Sequence, residues 1–193
     1  MPTFTKRTEI PAPAAELDRW HERPGAFERL VPPLRRVEIL ERTGGLDVGA
    51  RVVLRVGRRP FAMRWSAVHT LREPGRRFVD VQESGPFARF VHEHLFEDSG
   101  EGRSALHDRV DYALPMGAFG QALGGRLARR ELAALFCHRH RVTASDLARH
   151  APYFGTAPLR VAVTGASGLV GSALCAFLTA GGHDVVQIGR AHV

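Results

Sequence analysis

Cysteine is nearly missing from this chain: Cys137 and Cys175 are the only two, one in each of two predicted helices. That excludes a disulfide framework, and both thiols read as small buried side chains. Lysine is scarcer still, since Lys6 stands alone and 26 of the 27 basic residues are arginine (27 − 1). The net charge of +7 invites a nucleic-acid partner, but the arginines form no dense basic run and no aromatic platform interleaves them. No nucleic acid is therefore expected. No apolar run approaches the roughly 20 residues of a membrane span, and Met1-Pro-Thr-Phe-Thr-Lys-Arg has no apolar signal core. The expectation is a cytoplasmic protein without membrane insertion. What is present, 44% hydrophobic and 24% charged residues, has the balance of a soluble globular chain. Its 193 residues suffice for one domain of about 150 residues and a smaller addition.

The longest periodic stretch is Met116 to Val142, where Phe119, Leu123, Leu127, Leu132, Leu135 and Phe136 recur at three- and four-residue steps. It predicts a helix of roughly 40 Å, whose apolar stripe needs a large partner. Gly117, Gly120, Gly124 and Gly125 thin its first half, which predicts room beneath it. Thr143 to His150 reads as a short helical tail. The partner comes earlier. Phe4 to Ile10 alternates as a strand, and two short helices follow, Ala14 to His21 and Ala26 to Leu30, separated by Arg23-Pro-Gly25. Six runs then alternate with turn residues, from Val37 to Leu114, and predict an antiparallel meander. Period-two alternation places Phe61, Met63, Trp65, Ala67 and His69 on one face, then Phe90, His92, His94 and Phe96, then Leu106, Asp108, Val110 and Tyr112.

Strand, two short helices, six strands and a long helix is a helix-grip order. Glu9-Ile-Pro-Ala-Pro-Ala-Ala-Glu-Leu17, Phe27-Glu-Arg-Leu-Val-Pro32, Phe90-Val-His-Glu-His-Leu-Phe96 and Asp108-Arg-Val-Asp-Tyr-Ala-Leu-Pro115 resemble the polyketide cyclase and lipid-transfer-like superfamily, called SRPBCC or START-like. The resemblance implies an α+β fold, a curved antiparallel sheet wrapped on a long C-terminal helix, over residues 1–150. It implies little about activity, because such folds host very different apolar ligands.

After a linker at 151–158, residues 159–193 change character. Leu159 to Thr164 is a short buried-strand pattern that runs into Gly165-Ala-Ser-Gly168-Leu-Val-Gly171, a helix, and a second strand at Asp184 to Ile188. Strand, glycine turn, helix and strand is the opening of a Rossmann domain: Gly165 for the turn, Gly168 for pyrophosphate approach, Gly171 for close packing. This part resembles NAD(P)-dependent epimerases, extended short-chain dehydrogenases. Arg190, where an acidic residue would suit NAD, would suit the phosphate of NADP. NADP or NAD is thus implied for a full-length relative. The later strands and the catalytic Tyr and Lys of such enzymes are absent, so no cofactor is expected on this chain, nor oxidoreductase activity. One βαβ unit leaves an open strand edge, which docking or a homodimer through that edge would relieve.

Candidate chemistry gathers on two neighbouring strands. If Phe96 pairs with Ser104, His92 lies opposite Asp108, where a carboxylate tunes an imidazole as a general base, with His94 beside it. The alternative is a polar cross-strand pair on the solvent face. A metal needs a third ligand, and only His69 or His107 could be conjectured, so no metal site is expected. Cys137 and His140 read as a buried thiol and a surface imidazole. Phe61, Met63, Trp65, Phe90, Tyr112, Phe119 and Leu123 are the predicted cavity lining. The functional expectation is a binding module for a small hydrophobic or amphipathic ligand, ahead of an epimerase-like domain. The alternatives are a cyclase or dehydratase using His92, His94 and Asp108, and a protein-interaction domain.

Overall fold

The computed structural model describes residues 1–33, 35–58 and 60–189. Strand β1 (Thr3–Ile10) leads into helices α1 (Ala14–Glu22) and α2 (Ala26–Leu30). Six strands follow: β2 (Val37–Thr43), β3 (Arg51–Val56), β4 (Met63–Glu73), β5 (Arg77–Ser84), β6 (Arg89–Gly100) and β7 (Arg103–Ala113). They pair in the order β1-β7-β6-β5-β4-β3-β2, antiparallel throughout. Helix α3 (Gly117–His150) lies on this sheet. It is the expected helix-grip fold, with a small parallel sheet added at the C-terminus.

Alternation carries the sheet's inner face. Along β6, Phe90, His92, His94 and Phe96 are buried while their neighbours are less so, and along β7 the same holds for Asp108, Val110 and Tyr112. Two cores result. One joins Ile10, Leu17, Trp20, Phe78, Phe96 and Leu147, where α1 closes one end of the sheet. The other joins Phe90, Val110, Tyr112, Leu132 and Phe136 under α3.

Two expectations are corrected here. The predicted tail does not separate from the long helix, because α3 is continuous for 34 residues. More important, Phe119, Leu123 and Leu127 stay exposed at 61%, 72% and 64%. The reason is phase. The buried line of α3 runs through Leu132, Phe136, His140, Thr143 and Leu147, and extending it backwards at four-residue steps meets Ala128, Gly124 and Gly120. Phe119, Leu123 and Leu127 sit one residue, about 100°, off that line. The glycines permit close approach, not empty space: a Cβ on Gly120 would strike the Pro115 carbonyl, and one on Gly124 would come to 3.2 Å from Leu114 Cδ1.

The C-terminal unit is β8 (Arg160–Thr164), α4 (Leu169–Ala180) and β9 (Asp184–Ile188), with β8 and β9 parallel. Helix α4 packs on α2 and on the end of α3. His150 stacks on Phe177 with ring centroids 4.3 Å apart, and the Arg29 guanidinium lies 5.6 Å from the same ring. Gly25, at φ +89°, lies against Ala176 and Thr179, where any Cβ would collide with the α4 backbone. Gly25→Ala is therefore expected to loosen α4. Hydrogen exchange should show amides 169–180 losing protection at least ten-fold while β6 and β7 keep theirs; uniform protection would contradict the packing.

Among the described residues, no helix is long and apolar enough to cross a membrane.

Candidate functional site

The inner face and the helices leave a cavity of about 220 Å³ between β2–β6, α2 and the second half of α3. Leu30, Val52, Leu54, Trp65, Phe90 and Leu135 supply apolar wall, and Asp80, His92, His94 and Arg139 supply the polar part. Of the expected lining, Trp65 and Phe90 face this cavity. Tyr112 is buried in the core beside it. Phe61 and Met63 are 87% and 49% exposed: Phe61 precedes β4, and the strand's first two residues, Met63 and Arg64, are both exposed. Phe119 and Leu123 are outside for the reason of phase given above. Leu135, Phe136 and Arg139 roof the cavity in their place.

The hairpin between β6 and β7 differs from expectation by two residues. Glu101 and Gly102 both adopt left-handed backbone (φ 51° and 72°), a two-residue turn of the mirror-image kind, and Gly100 pairs with Arg103. Phe96 therefore faces Leu106 instead of Ser104, and His94, not His92, is directly opposite Asp108. His92 pairs across the other edge with Asp80 of β5. All of these groups are on the inner side, with His92, His94 and Asp108 at 2%, 6% and 2% exposure, so the solvent-face alternative does not apply.

The result is a buried cluster of carboxylates and imidazoles. Asp80 Oδ1 lies 3.2 Å from His92 Nδ1 and 3.4 Å from His94 Nε2. Asp108 Oδ1 lies 3.2 Å from His92 Nε2 and 2.9 Å from His94 Nδ1. The other Asp108 oxygen accepts from His140 Nε2 at 2.7 Å, and His140 Nδ1 is 2.8 Å from the Thr8 hydroxyl. His69 lines the cavity but stands outside this cluster, and His107 points to the opposite face of β7.

His140 and Cys137 exchange their expected places: His140 is 1% exposed and the Cys137 thiol is on the surface. The signal was in the sequence, because His140 follows Leu132 and Phe136 at four-residue steps. Asp80 was missed too, although it alternates with Phe78 on β5 and so shares the buried face.

Burial alone opposes charge on Asp80, His92 and Asp108, yet the pairing prevails at these three. His92 loses hydration but is raised to about 9 by Asp80 and Asp108. Both carboxylates are desolvated, but the surrounding imidazoles hold them below the usual carboxylate range. His21, also at the cavity, goes the other way: burial, aided by His94, outweighs the pull of Asp108 and Asp18, lowers it to about 4 and keeps it neutral. Arg139 is lowered by desolvation. Its guanidinium sits 5.5 Å from the Phe136 ring, and its buried Nε has no hydrogen-bond partner among the described residues.

The nucleotide-type glycines are elsewhere. Gly165 adopts φ +67° and Gly168 donates to the Gly165 carbonyl at 2.9 Å. Gly171 packs so close to Gly165 that a Cβ would collide with it. These three converge on the β8–α4 turn; Arg190 lies outside the described residues.

Comparison with known proteins places the two parts. A family profile described as "Polyketide cyclase / dehydrase and lipid transport" matches residues 10–136, and one described as "NAD dependent epimerase/dehydratase family" matches residues 161–193. No curated protein matches the chain. Among solved structures, a nucleoside-diphosphate sugar epimerase from Corynebacterium glutamicum is 31% identical with a TM-score of 0.76; the match covers 98% of this chain and 39% of that one. This chain thus spans well under half the length of that relative. The Zhui aromatase/cyclase from Streptomyces sp. R1128 is 19% identical, with 81% and 99% covered and a TM-score of 0.58. A START superfamily protein from Mycobacterium smegmatis is 12% identical, with 76% and 97% covered and a TM-score of 0.55.

Proposed function

We propose, for a chain that belongs to the polyketide cyclase / dehydrase and lipid transport family, that its helix-grip cavity binds a small amphipathic molecule. The observation that carries this reading is the cavity's division into an apolar wall, with Trp65, Phe90 and Leu54, and a polar side. An apolar body fits the first. At the second, Arg139 presents a guanidinium whose Nε lacks a protein acceptor among the described residues. Leaving such a donor buried without a partner is costly, so an oxygen acceptor on the guest, a carboxylate or carbonyl, suits it. In a longer relative such as the epimerase of C. glutamicum, the domain would present its guest to the nucleotide-binding part.

Native mass spectrometry of the purified protein, before and after delipidation, should show one retained small molecule per chain. Anilinonaphthalene sulfonate, an aromatic anion, should then bind the delipidated protein at one saturable site, and Arg139→Met should weaken it about ten-fold. Binding unchanged in that variant, or unsaturable binding, would overturn the assignment of the polar end.

A second reading, catalysis of the cyclase or dehydrase kind, is favoured by the imidazole–carboxylate pairs opening on the same cavity. It separates cleanly from carriage: His92→Ala should leave guest binding nearly intact, and would abolish turnover only if the domain is an enzyme.

A further inference from the structure

We propose that Asp80, His92 and His94 form a binding site for one divalent first-row metal ion, of the zinc type, in the cavity wall. The inference is independent of the guest, since the ion needs only these three side chains. Their ligand atoms all lie within 4.8 Å of one another. The Asp80 oxygen stands 3.2 Å and 3.4 Å from the two ring nitrogens. Donor atoms around a tetrahedral ion with bonds of roughly 2.0–2.1 Å are themselves roughly 3.3–3.4 Å apart. The two edges from Asp80 are thus already at the lengths of such a polyhedron, and the third lies within 4.8 Å.

The opposite nitrogens make the stronger case. His92 turns Nδ1 to Asp80 and Nε2 to Asp108, whereas His94 turns Nε2 to Asp80 and Nδ1 to Asp108. Asp108 therefore lies beside the far nitrogen of both rings; the His92 contact has hydrogen-bond geometry, whereas His94 Nδ1, 2.9 Å from the same oxygen, is not aligned for one and needs a small ring rotation to donate. A metal-bound imidazole characteristically donates its other N–H to a carboxylate, which fixes the tautomer and leaves the ligating nitrogen with a lone pair. Asp108 is itself held by His140, and His140 by Thr8. With the far nitrogens carrying the protons, two lone pairs and a carboxylate oxygen converge near one point. A dication there satisfies all three. Charging both rings with protons instead would set two imidazolium ions with centroids only 3.8 Å apart.

The scaffold suits the role. Asp80 and His92 are directly paired across β5 and β6, and His94 is two residues along the same strand. Ligands fixed on paired strands keep their spacing. Two nitrogens and one oxygen favour zinc-like ions over magnesium or calcium, which prefer oxygen cages. Three protein ligands leave positions open toward the cavity, where the ion would polarise a guest's carbonyl or hold a water.

The test uses the full chain without a polyhistidine tag, stripped with a chelator and titrated with Zn2+ and with Co2+. We expect one equivalent bound, and with Co2+ the d–d absorption of a low-coordinate site. Asp80→Asn should reduce affinity at least 100-fold. Asp108→Asn should reduce it about 10–100-fold at unchanged stoichiometry, as loss of an outer partner does. Cys137→Ser should change nothing. Because a histidine variant could fail to fold, the decisive comparison is thermal: Zn2+ should raise Tm in wild type and Cys137→Ser but not in Asp80→Asn, whose metal-free Tm serves as the fold control. Absence of metal binding in wild type, or equal affinity and equal Tm shift in Asp80→Asn, would overturn the proposal.

Discussion

Truncating Asp18 to alanine is expected to cost about 3–5 kcal/mol, the loss typical of breaking a buried ion pair by removing one partner. Asp18 on α1 receives both Arg72 guanidinium nitrogens, at 2.6 and 2.9 Å, and the Gly75 amide at 2.6 Å. Both side chains are only 7% exposed. The pair ties α1 to the β4–β5 hairpin, and so closes the end of the sheet over Trp20 and Phe78. Alanine would leave Arg72 buried with Glu22, itself 47% exposed, as the remaining carboxylate. Removing one half of a desolvated pair costs more than the pair contributes over an apolar substitute, because the survivor keeps its desolvation penalty. The contrast is Arg76→Ala, which breaks a pair with Glu73 in which the arginine is 71% exposed, and should cost below about 1 kcal/mol. Urea denaturation of both variants decides the matter. An Asp18→Ala loss no greater than that of Arg76→Ala would show that α1 is held by packing alone.

That pair joins elements far apart in the chain, and nothing in the sequence pairs Asp18 with Arg72. The limit is general here. The strands were legible because Gly44-Gly45, Glu73-Pro-Gly75, Ser84-Gly-Pro86 and Asp98-Ser-Gly100 punctuate them, and turn residues act locally. Faces were legible within a strand, since alternation put His92, His94 and Asp108 on one side together. Register was not, because it depended on which residues of Asp98-Ser-Gly-Glu-Gly102 form the turn, and Glu101 in left-handed backbone is an unusual choice. Helix phase was misjudged for a related reason. Large apolar residues at 119, 123 and 127 outweighed the glycines at 120 and 124, although close packing demands the smaller residue on the buried side. His140 and Asp80 then went unnoticed, each an ionisable group on a face that hydrophobicity alone identifies. The site is the place where charged residues occupy buried positions, and pattern reading discounts such residues first.

Filling the cavity tests the binding reading most directly. Ala67 lies between Trp65 and His69 on the inward side of β4, and all three line the cavity. Ala67→Phe would place a ring inside a space of about 220 Å³. Burying a phenyl group contributes about 1.5–3 kcal/mol, and overpacking costs about 1–3 kcal/mol where no room exists. With open volume ahead of the side chain, the strain is small, so stability should be unchanged or rise by about 1 kcal/mol. Affinity for anilinonaphthalene sulfonate, in contrast, should fall about 100-fold, since probe and ring compete for one volume. Leu123→Ala, on the exposed ridge of α3, should alter neither quantity by a comparable amount. The two measurements together separate the explanations. A folded Ala67→Phe that binds as wild type does would put the guest elsewhere on the protein. One that unfolds would mean the interior is already filled at this point, and that the walls made by Trp65, Phe90 and Leu54 close on each other instead of on a ligand.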